Sequence, residues 1–509
     1  GRTPSNEPEG RTSSATSDDD RLEAVGRSSI GRNVVHLLSS QVVTWVLATL
    51  LAIVQPRFLG PEAQGQIRLA FSLWTVAQVF VGLGTSAFLT LEIARNRQSG
   101  IRYVGPVILA RLTVFAVASL LLGATVIIAD ADQAFIELMI LWGLVVALAE
   151  CSDAIAAVFI GLERMAVPAM ASIISRVFGT GVAIAVLLSG GSAQQVVMVG
   201  VAANALGLLI MIRAVRKIGT IAFAHARERA GFAIRASVGF LIAAAILAVY
   251  QQIDTIVISL LVDAEVLGWY STADTLFGTL LFVPTIVMAS IFPVLGRLFV
   301  DDPDEMERLV RRTLRLLIVT AVPIGLGTTL VANNIAPILY GDEFAETGGV
   351  LAVLGPVIIL TFATVLFGTI ALATGRQRLW NVVMATGVVM SIPLDVVLVP
   401  WADRTYQNGA IGGALAYVVT ETFMVIIGLW KVAPFVLDRP TLSYALRTAA
   451  AGATMFAVTW PIRDQMVLIP ILVGSATFIL AALVFRAIGA EELRFVKENL
   501  AGRTPENST

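Results

Sequence analysis

Long apolar runs, broken by short charged or glycine- and proline-rich stretches, fill the chain from residue 33 to residue 485. A helix needs about 20 residues, at roughly 1.5 Å each, to cross a bilayer core. On that measure the pattern predicts fourteen spans: 33–54, 66–91, 104–128, 134–160, 166–188, 194–212, 236–261, 265–294, 316–332, 348–373, 379–399, 408–430, 443–461 and 466–485. The first two are the arms of a hairpin. Between them residues 55–65 read as a turn, with the breakers Pro56, Gly60, Pro61 and Gly65 and the charges Arg57 and Glu62. Ahead of the first span, residues 1–30 are polar and read as a disordered tail. No apolar core follows a basic start there, so the tail does not read as a signal peptide. The chain opens on Gly rather than Met, which reads as a start either trimmed or left over from cloning. After the last span, residues 491–500 read as a short interfacial amphipathic stretch.

Composition agrees with a polytopic membrane protein: 57% of the 509 residues are hydrophobic and 14% charged. A soluble domain carries about 25% charge. The net charge of −1 is uninformative, but its distribution is not. With the N-terminus placed inside, 29 of the 35 Lys and Arg residues fall in inner segments and only Arg57, Arg404 and Arg463 in outer loops. That bias sets both termini in the cytoplasm and supports an even number of spans. Cys151 is the single cysteine, and His36 and His225 are the two histidines, so neither a disulfide framework nor a Cys/His metal centre is expected. No expected outer loop exceeds about fifteen residues, and no soluble catalytic domain interrupts the spans, which argues against an enzyme.

The chain also repeats itself. Setting Gly65 on Gly268, an offset of 203 (268 less 65), superposes residues 59–65 on 262–268 and Glu62 on Glu265. Six spans precede the basic loop 213–235 and six follow, so the halves share one orientation, as in folds with two lobes around an axis along the membrane normal. The expected fold class is therefore all-α: two six-helix lobes around a central cavity, plus two C-terminal helices. The expected division is a tail 1–30, a first lobe 31–212, a linker 213–235, a second lobe 236–430, two extra spans 431–485, and a cytoplasmic tail 486–509.

Several motifs resemble a known family: Arg57-Phe58-Leu59-Gly60-Pro61-Glu62 with Gly65, Gln252-Ile253-Asp254-Thr255, Leu267-Gly268-Trp269-Tyr270, Phe292-Pro293, Leu339-Tyr340-Gly341-Asp342-Glu343-Phe344, and Gly409-Ala410-Ile411-Gly412-Gly413-Ala414-Leu415-Ala416. In order and spacing they resemble the polysaccharide-export flippases (O-antigen and lipid II type) of the multidrug/oligosaccharidyl-lipid/polysaccharide superfamily. The resemblance implies two six-helix bundles in a V and a cationic cavity for a lipid-linked glycan. It also implies a place in the bacterial inner membrane, membrane lipids and glycan-biosynthesis enzymes as neighbours, no cofactor, no nucleic acid, and no catalytic or metal residue to carry over.

Ionisable groups within spans cost about 2.5–3.5 kcal/mol each on insertion scales and mark cavities or partners. Arg176 falls near the midplane of the fifth span, Arg111 a third of the way along the third, Arg68 near the outer end of the second, and Arg57 at the outer mouth. All four lie in the first half, and the repeat partners of Arg57 and Arg68 are Leu260 and Ser271. Such a ladder suits a polyprenyl-diphosphate-linked glycan, because guanidinium pairs phosphate bidentately and stays charged when buried. The bland reading is an ion pair with Glu150 and Asp153, three residues apart on one helix face, or snorkelling for Arg57.

Second-half spans hold Gln251, Gln252, Asp254, Asp274, Asp395 and Glu421 but no Lys or Arg. Of these, Asp254, Asp274 and Glu421 are the candidates for coupling to Na⁺ or H⁺, with polar helix packing as the bland alternative. Pro284, Pro323, Pro356 and Pro393 fall inside second-half spans, marking that half as the bending one. The function these readings support is an inner-to-outer-leaflet flippase working by alternating access. A cation-coupled multidrug antiporter of the same superfamily is the alternative, and a membrane glycan polymerase a more distant third.

Overall fold

The computed structural model describes residues 15–219, 223 and 225–487, with side chains from Thr44 onward except at 98 and 99. Every regular element among the described residues is helical. In order these are α1 (Ala15–Gly82), α2 (Thr85–Arg95), α3 (Arg97–Ile101), α4 (Val104–Ile128), α5 (Gln133–Gly161), α6 (Ala166–Leu188), α7 (Ala193–Arg216) and α8 (Ala226–Ser259). They continue with α9 (Ala264–Leu280), α10 (Phe282–Asp301), α11 (Pro303–Tyr340), α12 (Thr347–Ala373), α13 (Gln377–Tyr406), α14 (Gly409–Ile427), α15 (Arg439–Thr459) and α16 (Leu468–Val484). Eleven described segments are long and apolar enough to cross a membrane, and the first of these, Thr44–Arg95, holds both arms of the hairpin.

The turn is far tighter than the sequence suggests. α1 stays helical through Pro56 and changes direction at Gly60 alone, whose φ of 77° and ψ of 168° only glycine adopts without strain. Pro61 then opens the second arm, where its missing N–H costs nothing. Gln55 Nε2 donates to Gln64 Oε1 at 2.9 Å. Nine residues along a straight helix would put these side chains about 13 Å apart and on opposite faces, so the chain reverses between them. Helix also reaches back to Ala15, into the stretch expected to be a disordered tail. Residues 1–14 and the amphipathic stretch expected at 491–500 lie outside the described residues.

Two expected single spans are broken. The second stops at Gly82 and resumes at Thr85, across Leu83 and Gly84 in left-handed conformation. The eighth splits into α9 and α10 at Leu281. A proline ring clashes with the carbonyl four residues before it, and Pro284 places that clash at Leu280, where α9 ends. Pro284 is thereby the third residue of α10 rather than a mid-helix kink, while Pro293, Pro323, Pro356 and Pro393 do lie inside helices.

Buried apolar side chains form separate clusters. The largest is built by α8–α14 around α12, with Leu351, Leu354, Phe362 and Phe367 at its centre. Smaller ones join α2, α4 and α5, and α1 with α5 and α7. Met455 and Phe478 of α15 and α16 pack on Val322 and Leu330 of α11. By contrast, α4 leaves Leu120, Leu121, Ile127 and Ile128 exposed, as a lipid-facing helix does.

Where the Gly60 end meets α9, the backbones touch. A Cβ on Gly65 would lie 1.9 Å from the Ala264 carbonyl oxygen, and one on Gly268 would lie 1.9 Å from the Pro61 carbonyl oxygen. Nothing but glycine fits either position.

Candidate functional site

Two cavities hold Arg176 and Asp153, and Arg68, Asp254 and Asp274, of the side chains that the sequence singles out. The first, about 630 Å³, runs between α1, α5, α6 and α7. Phe71, Trp74 and Trp142 supply aromatic walls, and Gln55, Gln78, Asp153, Ser175, Arg176 and Asn204 supply polar groups. Phe71 meets Trp142 edge-on at 5.2 Å, and Trp74 is fixed by a 2.8 Å hydrogen bond to the Met139 carbonyl. The Trp142 Nε1 and Ser175 Oγ are buried without partners among the described residues. Arg176, on α6, is exposed in this cavity, and no described residue pairs with it.

Arg111 is different. It is 1% exposed, and its guanidinium donates to Thr85 Oγ1 at 3.0 and 3.1 Å, to Ser86 Oγ at 2.6 Å and to the Glu150 carbonyl at 2.9 Å. It is also ion-paired with Glu150 Oε2 at 3.0 Å and Asp153 Oδ2 at 3.2 Å. Gln78 donates to Glu150 at 3.0 Å, and Ser86 hydrogen-bonds Asp153. With its donors this occupied, Arg111 forms an intramembrane ion-pair cluster that reaches the cavity through the half-exposed Asp153 and through Gln78.

The second cavity, about 300 Å³, is lined by Tyr250, Gln252, Asp254, Tyr270, Asp274 and Tyr417 together with Arg68 from α1. Arg68 is paired with Asp274 at 2.7 Å and lies over the Phe71 ring at 5.5 Å. Four residues further along α1, Ser72 donates to Gln252 Oε1 at 2.8 Å. Behind the cavity wall Glu421 accepts from Tyr250 Oη and, at 2.7 Å, from Thr364 Oγ1. Asp254 shares the Ser391 hydroxyl with Asp395, whose Oδ2 is 3.4 Å from it and whose Oδ1 is buried without a partner among the described residues. Ser391 and Asp395 were not singled out as site residues, yet their spacing of four on an apolar helix is a readable sign of a shared polar face. Among the described residues no group of three or more His, Cys, Asp or Glu is placed to hold a metal ion.

Arg57 belongs to neither cavity. Its Nη1 donates to the carbonyls of Ile338 at 2.8 Å and Leu339 at 3.2 Å, the unsatisfied last-turn oxygens of α11. A cation there completes a helix C-terminus.

The polysaccharide biosynthesis protein family model matches residues 30–299, more than half of the chain. The chain belongs to that family. The MatE family model matches residues 240–397, so the second half carries that likeness too. No curated protein sequence matches. Among solved structures, the lipid II flippase MurJ in an inward closed conformation is similar at 14% identity and a TM-score of 0.71, covering 89% of this chain and 98% of that one. An inward-facing multidrug-resistance MATE family transporter of the MOP superfamily is similar at 14% identity and a TM-score of 0.60, covering 77% and 95%. The bent form of the Vibrio cholerae MATE transporter VcmN follows at 14% and 0.51, covering 80% and 99%. The chain therefore has the multi-pass membrane fold of the MOP superfamily.

Proposed function

We propose that this protein is a flippase for a polyprenyl-diphosphate-linked glycan, moving its headgroup from the inner to the outer leaflet by alternating access. The observation that carries the reading is Arg176: an exposed guanidinium, without a described partner, on the wall of a cavity lined by aromatic and amide side chains. Aromatic faces suit sugar rings, amides and hydroxyls suit sugar hydroxyls, and guanidinium suits phosphate. MurJ, by its name, flips lipid II, which supports the same substrate class here.

In this scheme residues 31–212 and 236–430 are two six-helix lobes, residues 431–485 add two spans, and fourteen spans put both termini in the cytoplasm. The separate buried clusters of the two halves support the division. The headgroup enters from the inner side, its diphosphate pairs with Arg176, and the lipid tail stays in the bilayer. Arg111 acts through Asp153, holding it at the cavity wall. A membrane potential negative inside aids the outward movement of two charges by about 4–5 kcal/mol per 100 mV. The second cavity, with Asp254, Asp274 and the Asp395 and Glu421 carboxylates behind it, couples the cycle to Na⁺ or H⁺.

The test is transport of a labelled polyprenyl-diphosphate-linked glycan into vesicles holding the purified protein. Arg176→Ala is expected to lose most transport and Arg176→Lys to keep part of it. Wild-type rates in Arg176→Ala would sink the reading. A second reading, cation-coupled export of cationic drugs, draws on the carboxylate-lined second cavity and the MatE match. Resistance to cationic dyes conferred by this chain, and lost in Asp254→Asn, would favour it.

A further inference from the structure

Among the described residues, the second cavity contains one cation, and that cation comes from the other half of the chain. α8, α9 and α14 provide its wall, yet Arg68 enters from α1 and is the only described polar partner of Asp274. The charged and titratable groups facing this space are Tyr250 and Asp254 of α8, Tyr270 and Asp274 of α9, and Tyr417 of α14. Behind them stand Glu421 of α14 and Asp395 of α13. A guanidinium nitrogen 2.7 Å from Asp274 Oδ2 already neutralises that carboxylate and repels a second cation there.

Arg68 is also tied to the contact at the Gly60 end. It stands one helical turn beyond Gly65, and Asp274 stands less than two turns beyond Gly268. Any movement that separates α1 from α9 withdraws Arg68 from the cavity. Asp274 then loses its only described polar partner and the cavity its only described cation, a state that favours capture of a replacement.

We propose that Arg68 is a tethered competitor of the coupling cation: it fills the cation's place at Asp274 when the Gly60 end is closed, and gives it up when that end opens. Bound cation and closed end exclude one another. Cation entry holds the end open, and closure expels the cation. By reciprocity the closed contact lowers cation affinity by the factor by which the cation disfavours closure. The inference rests on the reading of the second cavity as the coupling site.

Full-length protein in lipid nanodiscs serves for the test, with ²²Na⁺ binding as one arm and proton uptake in weak buffer, read by a pH indicator, as the other. Arg68→Gln is expected to bind one of the two cations more tightly, by about 5–150-fold, the usual span of a coupling between sites. Arg68→Lys, which keeps the charge, is expected to move back toward the wild type. A second measurement leaves Arg68 in place: Glu62→Cys with Glu265→Cys, in a Cys151→Ser background, joined by a short bis-maleimide. Both glutamates are exposed at the closed end, and the cross-linked protein is expected to bind the cation more weakly than the unlinked one. Equal affinity of wild type, Arg68→Gln and the cross-linked protein, with binding abolished by Asp254→Asn, overturns the competition and leaves coupling intact. No binding of either cation by any of these proteins removes the coupling reading and the competition with it.

Discussion

Gly65 and Gly268, the residues that coincide when the chain is laid on itself, are pressed together in space. The contact is reciprocal at the same offset: the Ala264 carbonyl faces Gly65 as the Pro61 carbonyl faces Gly268. Repeat-related segments that meet in this way stand to each other as two copies do across a two-fold axis. The hairpin and its second copy therefore form one contact, and Arg68–Asp274 and Ser72–Gln252 extend it along α1.

Because each glycine faces backbone rather than a movable side chain, Gly65→Ala or Gly268→Ala must push α1 and α9 apart. The gap would have to grow from 1.9 Å to at least the 3.4 Å of ordinary contact. Overpacking of this kind costs about 1–3 kcal/mol. Spin labels at positions 62 and 265 are expected to report a longer separation in either variant, and glycan transport is expected to fall. Unchanged distances would show that the contact is not maintained in the membrane.

Arg111 and Arg176 should part company on substitution. Arg111→Met leaves Glu150 buried beside Asp153 without its cation, and breaking a buried pair in this way costs about 3–5 kcal/mol. Low yield and a lowered melting temperature are expected. Arg176→Ala removes no described protein contact, so folding should be unchanged while transport fails. Comparing melting temperature with transport for both variants separates the roles, and a fully stable Arg111→Met would refute the first.

Arg57→Ala removes the donor to the Ile338 and Leu339 carbonyls. A cation at a helix C-terminus contributes about 0.3–1 kcal/mol, so a small drop in melting temperature with transport near wild type is expected. If transport instead collapses with stability intact, Arg57 handles substrate.

Asp438 caps α15, accepting from the Thr441 amide at 2.8 Å and pairing with Arg311 at 3.3 Å. Slight burial pushes its carboxyl up, but the Thr441 hydroxyl and amide and the Arg311 and Arg315 charges outweigh that and hold it below its ordinary 3.8. A depressed folded value stabilises above the unfolded value and is lost as the pH falls through the folded one. The capping contribution should therefore be constant at neutral pH and fade only below 3.8. Asp438→Ala should cost about 0.5–2 kcal/mol at neutral pH, as caps do, and narrow its deficit in strong acid. Melting curves across pH check both.

Much of the architecture was legible because hydrocarbon demands it. Backbone groups without water must bond within a helix, so apolar length alone announces a span. Glycine and proline then mark the breaks, though not their width: an eleven-residue stretch read as a turn is helical except at Gly60. The break after Leu280 follows from the Pro284 ring, a clash visible in the sequence once the helix register is considered.

Which charges are free was not legible. Arg111 and Arg176 are both arginines in apolar helices, and an ion pair with Glu150 and Asp153 suited either equally well. Only packing decided, because salt bridges and hydrogen bonds act over about 3 Å, and sequence spacing fixes positions along one helix but not across helices. Arg68 shows the same limit: sequence assigned it to one half and Asp274 to the other, and the crossing of α1 with α9 made them a pair. The sequence by itself determined the helices and the repeat, since these answer to local sterics and hydrophobicity. The tertiary structure decided which arginine is buried in partners, which one crosses to the other half, and which one stands in a cavity without a described partner.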